Sequence, residues 1–211
     1  MSRTLAILGA SGHGKVVADI ALQTCWDDVV FFDDAWPRQE ALEHWPVIGG
    51  MSRLHADASR YSGIVVAIGD CATRAVKLRQ IREFGGTIVS VVHPATAVSP
   101  LARLGEGTVV VAGAVVNAFA RLGDGCIINT SATVDHDCCL AANVHVAPGA
   151  NVAGEVSVGA ESWLGIGCSV KQGVSIGRRV TVGAGAVVIR DVPDGAVVVG
   201  VPAKPLRRQR I

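Results

Sequence analysis

The residues best equipped for chemistry lie in one short segment, Asn129-Thr130-Ser131-Ala132-Thr133-Val134-Asp135-His136-Asp137-Cys138, which sets a histidine between two acids. An imidazole with a reference pKa of about 6.5 can take a proton near neutrality, and an adjoining carboxylate fixes its tautomer and raises its basicity. His136 and Asp137 therefore suit a general base; the alternative is an ordinary solvated His–Asp pair. His145 follows at the end of the next hexad. A second group of interest, Gly9-Ala10-Ser11-Gly12-His13-Gly14-Lys15, follows a short apolar strand and opens a helical pattern. Glycines there let backbone approach a phosphate, and the helix start offers free N–H groups and a positive dipole end. Asp33, followed by Asp34, stands near the distance expected for a ribose contact. The spacing is not G-x-G-x-x-G, and about 92 residues hold only half of a dinucleotide fold. A nucleotide-diphosphate ligand such as a nucleotide sugar fits better than NAD; the alternative is a plain tight turn.

What must position these groups is legible as a period of six. From Val98 to Val188 every sixth residue is aliphatic, without a slip. Four residues after each stands a small residue or valine, such as Ala114, Cys126, Ala132, Cys138, Ser162 and Cys168. Neither a helix at 3.6 residues per turn nor a simple strand at two explains this spacing. A parallel β-helix of short strands does, with the aliphatic residue pointing inward. Glycine often follows the aliphatic residue, as at Gly123, Gly159, Gly165, Gly177 and Gly183, and is expected to supply backbone angles that other residues resist. His136, two positions past the inward Val134, then lies outside or at a turn, and His145 is also outside the core.

Residues 1–92 read as a small α/β domain. Strands are expected at Thr4–Leu8, Val29–Phe32, Gly63–Ile68 and Thr87–Val92, with helices at Val16–Thr24, Ser52–Ala58 and Ala72–Phe84, the last amphipathic and basic. Alternating strand and helix imply a parallel sheet, a Rossmann-like half. The stretch from Trp36 to Arg60 is otherwise ambiguous. Residues 93–211 form the coil and its tail, with no flexible linker after His93-Pro94, so a fixed relation between the two parts is expected.

A chain of 211 residues, half of them apolar, has ample core. A net charge of +1 gives no electrostatic reason for a nucleic-acid or anionic-membrane partner. Lys15 and Asp19 interrupt any early apolar run, and the longest stretch free of Asp, Glu, Lys and Arg, Phe84 to Ala102, is broken by glycines and prolines. No signal segment or membrane span is therefore expected. The six cysteines lack metal-finger spacing, and Cys126, Cys138 and Cys168 fall on the small hexad position. They read as compact core residues in a reducing cytoplasm.

The chain resembles the hexapeptide-repeat acyltransferases, and within them the UDP-4-amino-sugar N-acetyltransferases of bacterial glycan pathways and the sialic acid O-acetyltransferases. The likeness spans essentially the whole chain. It is carried by Gly9-Ala-Ser-Gly-His-Gly14, Phe32-Asp33-Asp34, Ala67-Ile-Gly69, Asn129-Thr-Ser131, His136-Asp137, His145-Val146, Leu164-Gly-Ile-Gly167 and Val199-Gly-Val-Pro-Ala-Lys204. The resemblance implies a left-handed parallel β-helix and a homotrimer whose flat faces meet, leaving His136 in a cleft between subunits. It implies acetyl-CoA as cosubstrate and no metal. His136 would be the catalytic base and Asp137 the acid that strengthens it, while His145 would contact the thioester region of acetyl-CoA. Gly154 would present backbone to the thioester carbonyl, and Ile166 and Ala184 would line the pantetheine path, Ala184 standing where relatives can carry glycine. Ser11, Gly12, His13, Asp33, Asp34 and Gly69 would hold the nucleotide and sugar.

The function so implied is acetyl-CoA-dependent N-acetylation of the 4-amino group of a nucleotide-linked amino sugar, with sialic acid O-acetylation as the near alternative. No acyl-enzyme is required, although Cys139, off the inward position, remains formally open as a nucleophile. Two readings come from other classes. One is a zinc lyase of the γ-carbonic-anhydrase type, for which His136 and His145 lack an evident third ligand unless His93 serves. The other is a non-catalytic nucleotide-sugar-binding trimer. The basic tail of Lys204, Arg207, Arg208 and Arg210 either approaches the phosphates of coenzyme A or is a solvated terminus.

Overall fold

The computed structural model describes residues 2–206. Arg207, Arg208 and Arg210 of the basic tail lie outside them; Lys204 is exposed. From Val91 onward the chain winds as a parallel β-solenoid with three faces, each rung stacking on the one before. Face I carries Val91–Val92, Val109–Val110, Ile127–Ile128, His145–Val146, Trp163–Leu164, Thr181–Val182 and Val197–Val199. Face II carries Ala97–Val98, Val115–Val116, Thr133–Val134, Asn151–Val152, Ser169–Val170 and Val187–Val188, and face III runs from Arg103–Leu104 to Ser175–Ile176. The register is in phase: Val115 pairs with Thr133, and Thr133 with Asn151. The aliphatic residue of each hexad and the small residue two positions before it both point inward. Val144 and Val146 are fully buried in one continuous core with Cys126, Cys138 and Cys168.

The glycines after the inward residue serve a different purpose from the one expected. Their φ values are not positive. A Cβ at Gly165 would strike the Val182 carbonyl of the next rung, and one at Gly123 would lie 2.6 Å from the Ala142 nitrogen. They are glycines because rungs stack closely there. The left-handed backbone occurs two residues later in the turn, at Gly113, Gly149 and Gly167 and also at Ser131, Asp137 and Asn143.

The N-terminal part is a three-stranded parallel sheet. In chain order it runs β1 (Thr4–Leu8), α1 (Gly12–Leu22), β2 (Asp28–Phe32), a small hairpin of β3 (Ala41–Leu42) and β4 (Trp45–Pro46), α2 (Met51–Asp57), β5 (Gly63–Val66) and α3 (Cys71–Glu83). Sheet order is β2-β1-β5. Helix α1 starts at Gly12, earlier than Val16, because the glycine turn itself forms its first turn; glycine's poor helix propensity conceals this in the sequence. Strand β5 stops short of Ile68, whose carbonyl turns away to accept from Arg74. The fourth expected strand divides: Ile88 bridges Ile64 of the sheet, whereas Val91–Val92 already stacks on Val109–Val110 of the coil. A short 3-10 turn, Ala58–Arg60, follows α2.

Face I of the coil is the floor on which the α/β domain sits. Val109, Val111 and Ile127 share a buried cluster with Leu5, Ile7, Val17 and Ile20. Helix α3 leans on the turns between faces III and I, where Leu78 touches the glycine backbone at Gly107 and Gly125. At the far end, Lys204–Pro205 runs antiparallel along Val197–Val199 and closes the last rung.

Candidate active site

His136 stands on the ridge between faces II and III, in the turn after Thr133–Val134, and its side chain is 54% exposed. Asp137 occupies the left-handed position of that turn, φ 59°, where several other turns use glycine. Asp and Asn tolerate this conformation better than most side chains. The conformation turns the carboxylate back on the ring, with Asp137 Oδ2 2.9 Å from His136 Nδ1. A carboxylate only accepts, so Nδ1 carries the hydrogen and the neutral ring keeps Nε2 as its free lone pair. The hydrogen bond to Asp137 raises the His136 pKa above its ordinary value, supported by the charges of Asp135, Asp137 and Glu155. Nε2 projects over the next rung: a Cβ at Gly154 would lie 2.6 Å from His136 Cε1 and Nε2. Gly154 is thus a glycine because the imidazole occupies its side-chain space.

His145 points out of face I between the inward Val144 and Val146. It is outside the coil core, as expected, yet not on open surface: the α/β domain covers it, leaving 8% exposed. Its Nδ1 lies 3.2 Å from the Gly69 carbonyl and its Nε2 3.1 Å from Asn129 Nδ2. The carbonyl can only accept, so Nδ1–H donates to Gly69 and Nε2 accepts from the Asn129 amide. Burial, with the Arg74 guanidinium beside it, pushes the His145 pKa down to about 4. His13 comes from the opposite side, its ring centroid 6.5 Å from that of His145. Burial, then the charges of His145 and Arg74, lower it also to about 4, and its Nε2 is buried without a hydrogen-bond partner. Both imidazoles are therefore neutral at physiological pH. A cavity of about 580 Å³ opens beside them, lined by Gly69, Asp70, Cys71, His145, Glu161, Trp163 and Arg179.

The glycine turn is built with an open mouth. Gly14 is required by packing, because a Cβ would strike the Gly9 carbonyl and the Phe31 ring, but a Cβ at Gly12 would meet nothing. Ser11, the N-cap of α1, makes no side-chain capping bond. The start of α1 at Gly12 is therefore exposed and without a side-chain cap, the arrangement an anionic group seeks. Asp33 braces this turn: its Oδ2 accepts from Ala10 N at 2.8 Å and its Oδ1 from Ala35 N at 2.8 Å. Asp34 accepts from Met51 N and from Lys77 Nζ, at 3.0 and 2.6 Å. Both acids thus have structural duties that sequence reasoning did not assign.

Apart from Ser11, Gly12, Asp33 and Asp34 at the glycine turn, the expected site residues form three groups within the chain. His136 and Gly154 share the ridge between faces II and III. Ile166 and Ala184, both exposed, stack on the ridge between faces I and II, where Gly185 N donates to the Ile166 carbonyl. His145, His13 and Gly69 meet under the α/β domain. Three residues in these surroundings were given no role from the sequence: Asn129, although it stands in a motif that carries the resemblance, Trp163 and Arg74. Arg74 had a visible signal, since it falls on the apolar stripe Cys71, Leu78, Ile81 of α3. Cys139 is exposed on face III, but Cys126 and Cys168 are buried with thiols pushed up to about 12 and about 11. Among the described residues no cluster of three or more His, Cys, Asp or Glu could hold a metal ion, and His93 Nδ1 accepts from Ala95 N. No helix among them is long and apolar enough to cross a membrane.

A stacked coil of hexads with a histidine–carboxylate pair on one ridge defines a hexapeptide-repeat transferase. Residues 155–190 match the bacterial transferase hexapeptide family, and residues 4–81 match the PglD N-terminal domain. The acetyltransferase domain of PglB from Neisseria gonorrhoeae FA1090, solved in complex with acetyl coenzyme A, is 44% identical, over 98% of this chain and 100% of that one, with a TM-score of 0.92. PerB from Caulobacter crescentus, solved with CoA and GDP-perosamine, is 41% identical over 97% of each chain, TM-score 0.92. A histidine-to-alanine variant of GDP-perosamine N-acetyltransferase from the same organism, again with CoA and GDP-perosamine, is 42% identical over 97% of each chain, TM-score 0.92. No curated protein sequence matches. The chain belongs to the hexapeptide-repeat acetyltransferases that carry a PglD-type N-terminal domain.

Proposed function

We propose that the protein transfers the acetyl group of acetyl-CoA to the 4-amino group of a nucleotide-linked amino sugar in the cytoplasm, as a homotrimer. The observation that carries this reading is the orientation of His136: Nδ1 is committed to Asp137 and Nε2 is free over the Gly154 backbone. The amine attacks the thioester carbonyl carbon, His136 Nε2 takes the proton the nitrogen must shed, and the carbon–sulfur bond breaks to release CoA as thiolate, which is then protonated. In this reading the backbone N–H at Gly154 meets the developing oxyanion. No thiol has to form an acyl-enzyme. The open mouth at Gly12, and the space at Gly69, where an added Cβ would meet only the edge of the His145 ring, suit the diphosphate and sugar.

The trimer is supported by where the ridges lie. A coil side of six residues spans at most about 20 Å, and its two bounding ridges face away from each other. One acetyl-CoA whose thioester meets His136 and Gly154 on one ridge while its pantetheine follows Ile166 on the other needs two copies side by side. Face II suits that contact, its outward residues Ala97, Val115, Thr133, Asn151, Ser169 and Val187 being small or uncharged.

The test is transfer by wild-type and His136→Ala protein, with acetyl-CoA and a panel of UDP-, GDP- and dTDP-linked 4-amino sugars, and with free and CMP-linked sialic acid. The variant is expected to lose about 10²–10⁴-fold in kcat while keeping its oligomeric state. Near-normal turnover by His136→Ala would refute the base assignment. Acetylation of sialic acid alone would replace the amino-sugar reading with O-transfer.

A further inference from the structure

Arg74 is fully buried, yet no carboxylate among the described residues pairs with it. Four of its five guanidinium N–H groups donate to backbone carbonyls, from both halves of the molecule. Nη1 donates to Ile68 at 2.7 Å and to Gly69 at 3.0 Å, in the loop between β5 and α3. Nε donates to Gly125 at 2.7 Å and Nη2 to Asn143 at 2.8 Å, on successive turns of the coil. Charged side chains are almost never buried without a partner, and carbonyls satisfy the donors while leaving the positive charge unneutralised. Two consequences meet at one atom. The fork fixes the Gly69 carbonyl, and that same carbonyl receives the Nδ1–H of His145.

We propose that Arg74 is a positioning residue for the transfer site: by holding Gly69 against the coil, it sets His145 as a neutral imidazole with its hydrogen on Nδ1 and its Nε2 turned to Asn129. The link to turnover rests on the acetyl-transfer reading, in which His145 lies at the thioester; the tautomer does not. The titratable and charged groups around His145 are His13 from α1, Asp70, Cys71 and Arg74 from the start of α3, and Glu161 and Arg179 from the coil. Burial first, and then the nearby cation, disfavour a positive charge on the ring, and Arg74 adds to the effect of burial on His13 as well. A lysine at this place would keep the charge but, with one nitrogen, could not span four carbonyls on two elements.

Imidazole ¹⁵N–¹H spectra of the full-length protein, recorded without either substrate, test this directly, with His145→Gln for assignment. Wild type should show His145 neutral with the Nδ1–H tautomer from pH 5 to 8. Arg74→Met should raise the His145 pKa, with burial still holding it below its ordinary value, and bring in the Nε2–H form, with KM for acetyl-CoA raised at least tenfold. Arg74→Lys should keep His145 uncharged but mix the tautomers, with a smaller rise in KM. The proposal is overturned by a wild-type His145 that is charged at pH 6 or carries its hydrogen on Nε2. It is also overturned by an Arg74→Lys protein whose spectrum and KM both match wild type, a result readable even if Arg74→Met does not fold. Neither outcome bears on the base assignment, which His136→Ala decides alone.

Discussion

His136 must be neutral to take a proton, so the acidic side of the pH profile belongs to its pKa. Asp137 raises that pKa, and kcat/KM should therefore climb with pH through a limb lying above about 6.5. Asp137→Asn should move the limb to lower pH and reduce the plateau, because the ring loses both its anchor and its stronger basicity; an unmoved limb would separate Asp137 from His136. Gly154→Ala tests the geometry from the other side. The added methyl lands 2.6 Å from Nε2, the ring must swing away, and a displacement of about 1 Å can cost about 10²-fold in rate. Unchanged kcat in a folded variant would show that the ring does not work in this orientation. These residues are legible in a single sequence because geometry explains nearly everything else in the hexads and leaves His136 unexplained. Arg74 is harder to read, since an arginine on a helix is ordinarily solvated and only its place on the apolar stripe hints otherwise. His13 misleads in a different way: a turn histidine reads as a mouth residue, and only the docking of the domain onto face I reveals that its ring Nε2 is buried.

The elements differ in how far they announce themselves. The coil is fixed by side-chain period alone, because every inward place must be filled and each rung repeats the last. The boundary strands are not: Val91–Val92 reads as the end of the sheet in sequence, yet its partner, Val109–Val110, follows it in the chain. The two-residue strands β3 and β4 are too short to show any alternation. The seat of the α/β domain on face I has a thermodynamic signature. His13 and His145 are held at about 4 in the folded protein and return to about 6.5 when unfolded. Below about pH 6.5 the unfolded chain binds more protons, so stability is complete above that value and falls progressively as pH drops towards 4. Urea midpoints at pH 7.5 and 5 should show the loss, and His145→Gln should reduce it; equal midpoints would mean the imidazoles are hydrated in the folded state.

For the whole molecule, the separation of the two ridges predicts complementation between subunits. A His136→Ala chain lacks the base, and an Ile166→Asp chain has a charged pantetheine ridge; neither should acetylate alone. Co-expressed, they should recover a substantial fraction of wild-type turnover, because mixed oligomers of the proposed trimeric kind join an intact His136 ridge to an intact Ile166 ridge. No recovery in verified mixed trimers would place the whole site within one chain. The antiparallel Lys204–Pro205 segment has a consequence of another kind. A parallel stack of rungs ends in a row of unpaired amides that invites another chain to continue it, as amyloid does. Here the polypeptide doubles back along Val197–Val199, and proline offers no N–H for a newcomer to use. End-on polymerisation into fibrils is therefore disfavoured along face I at this pole, whatever contacts the chain makes sideways.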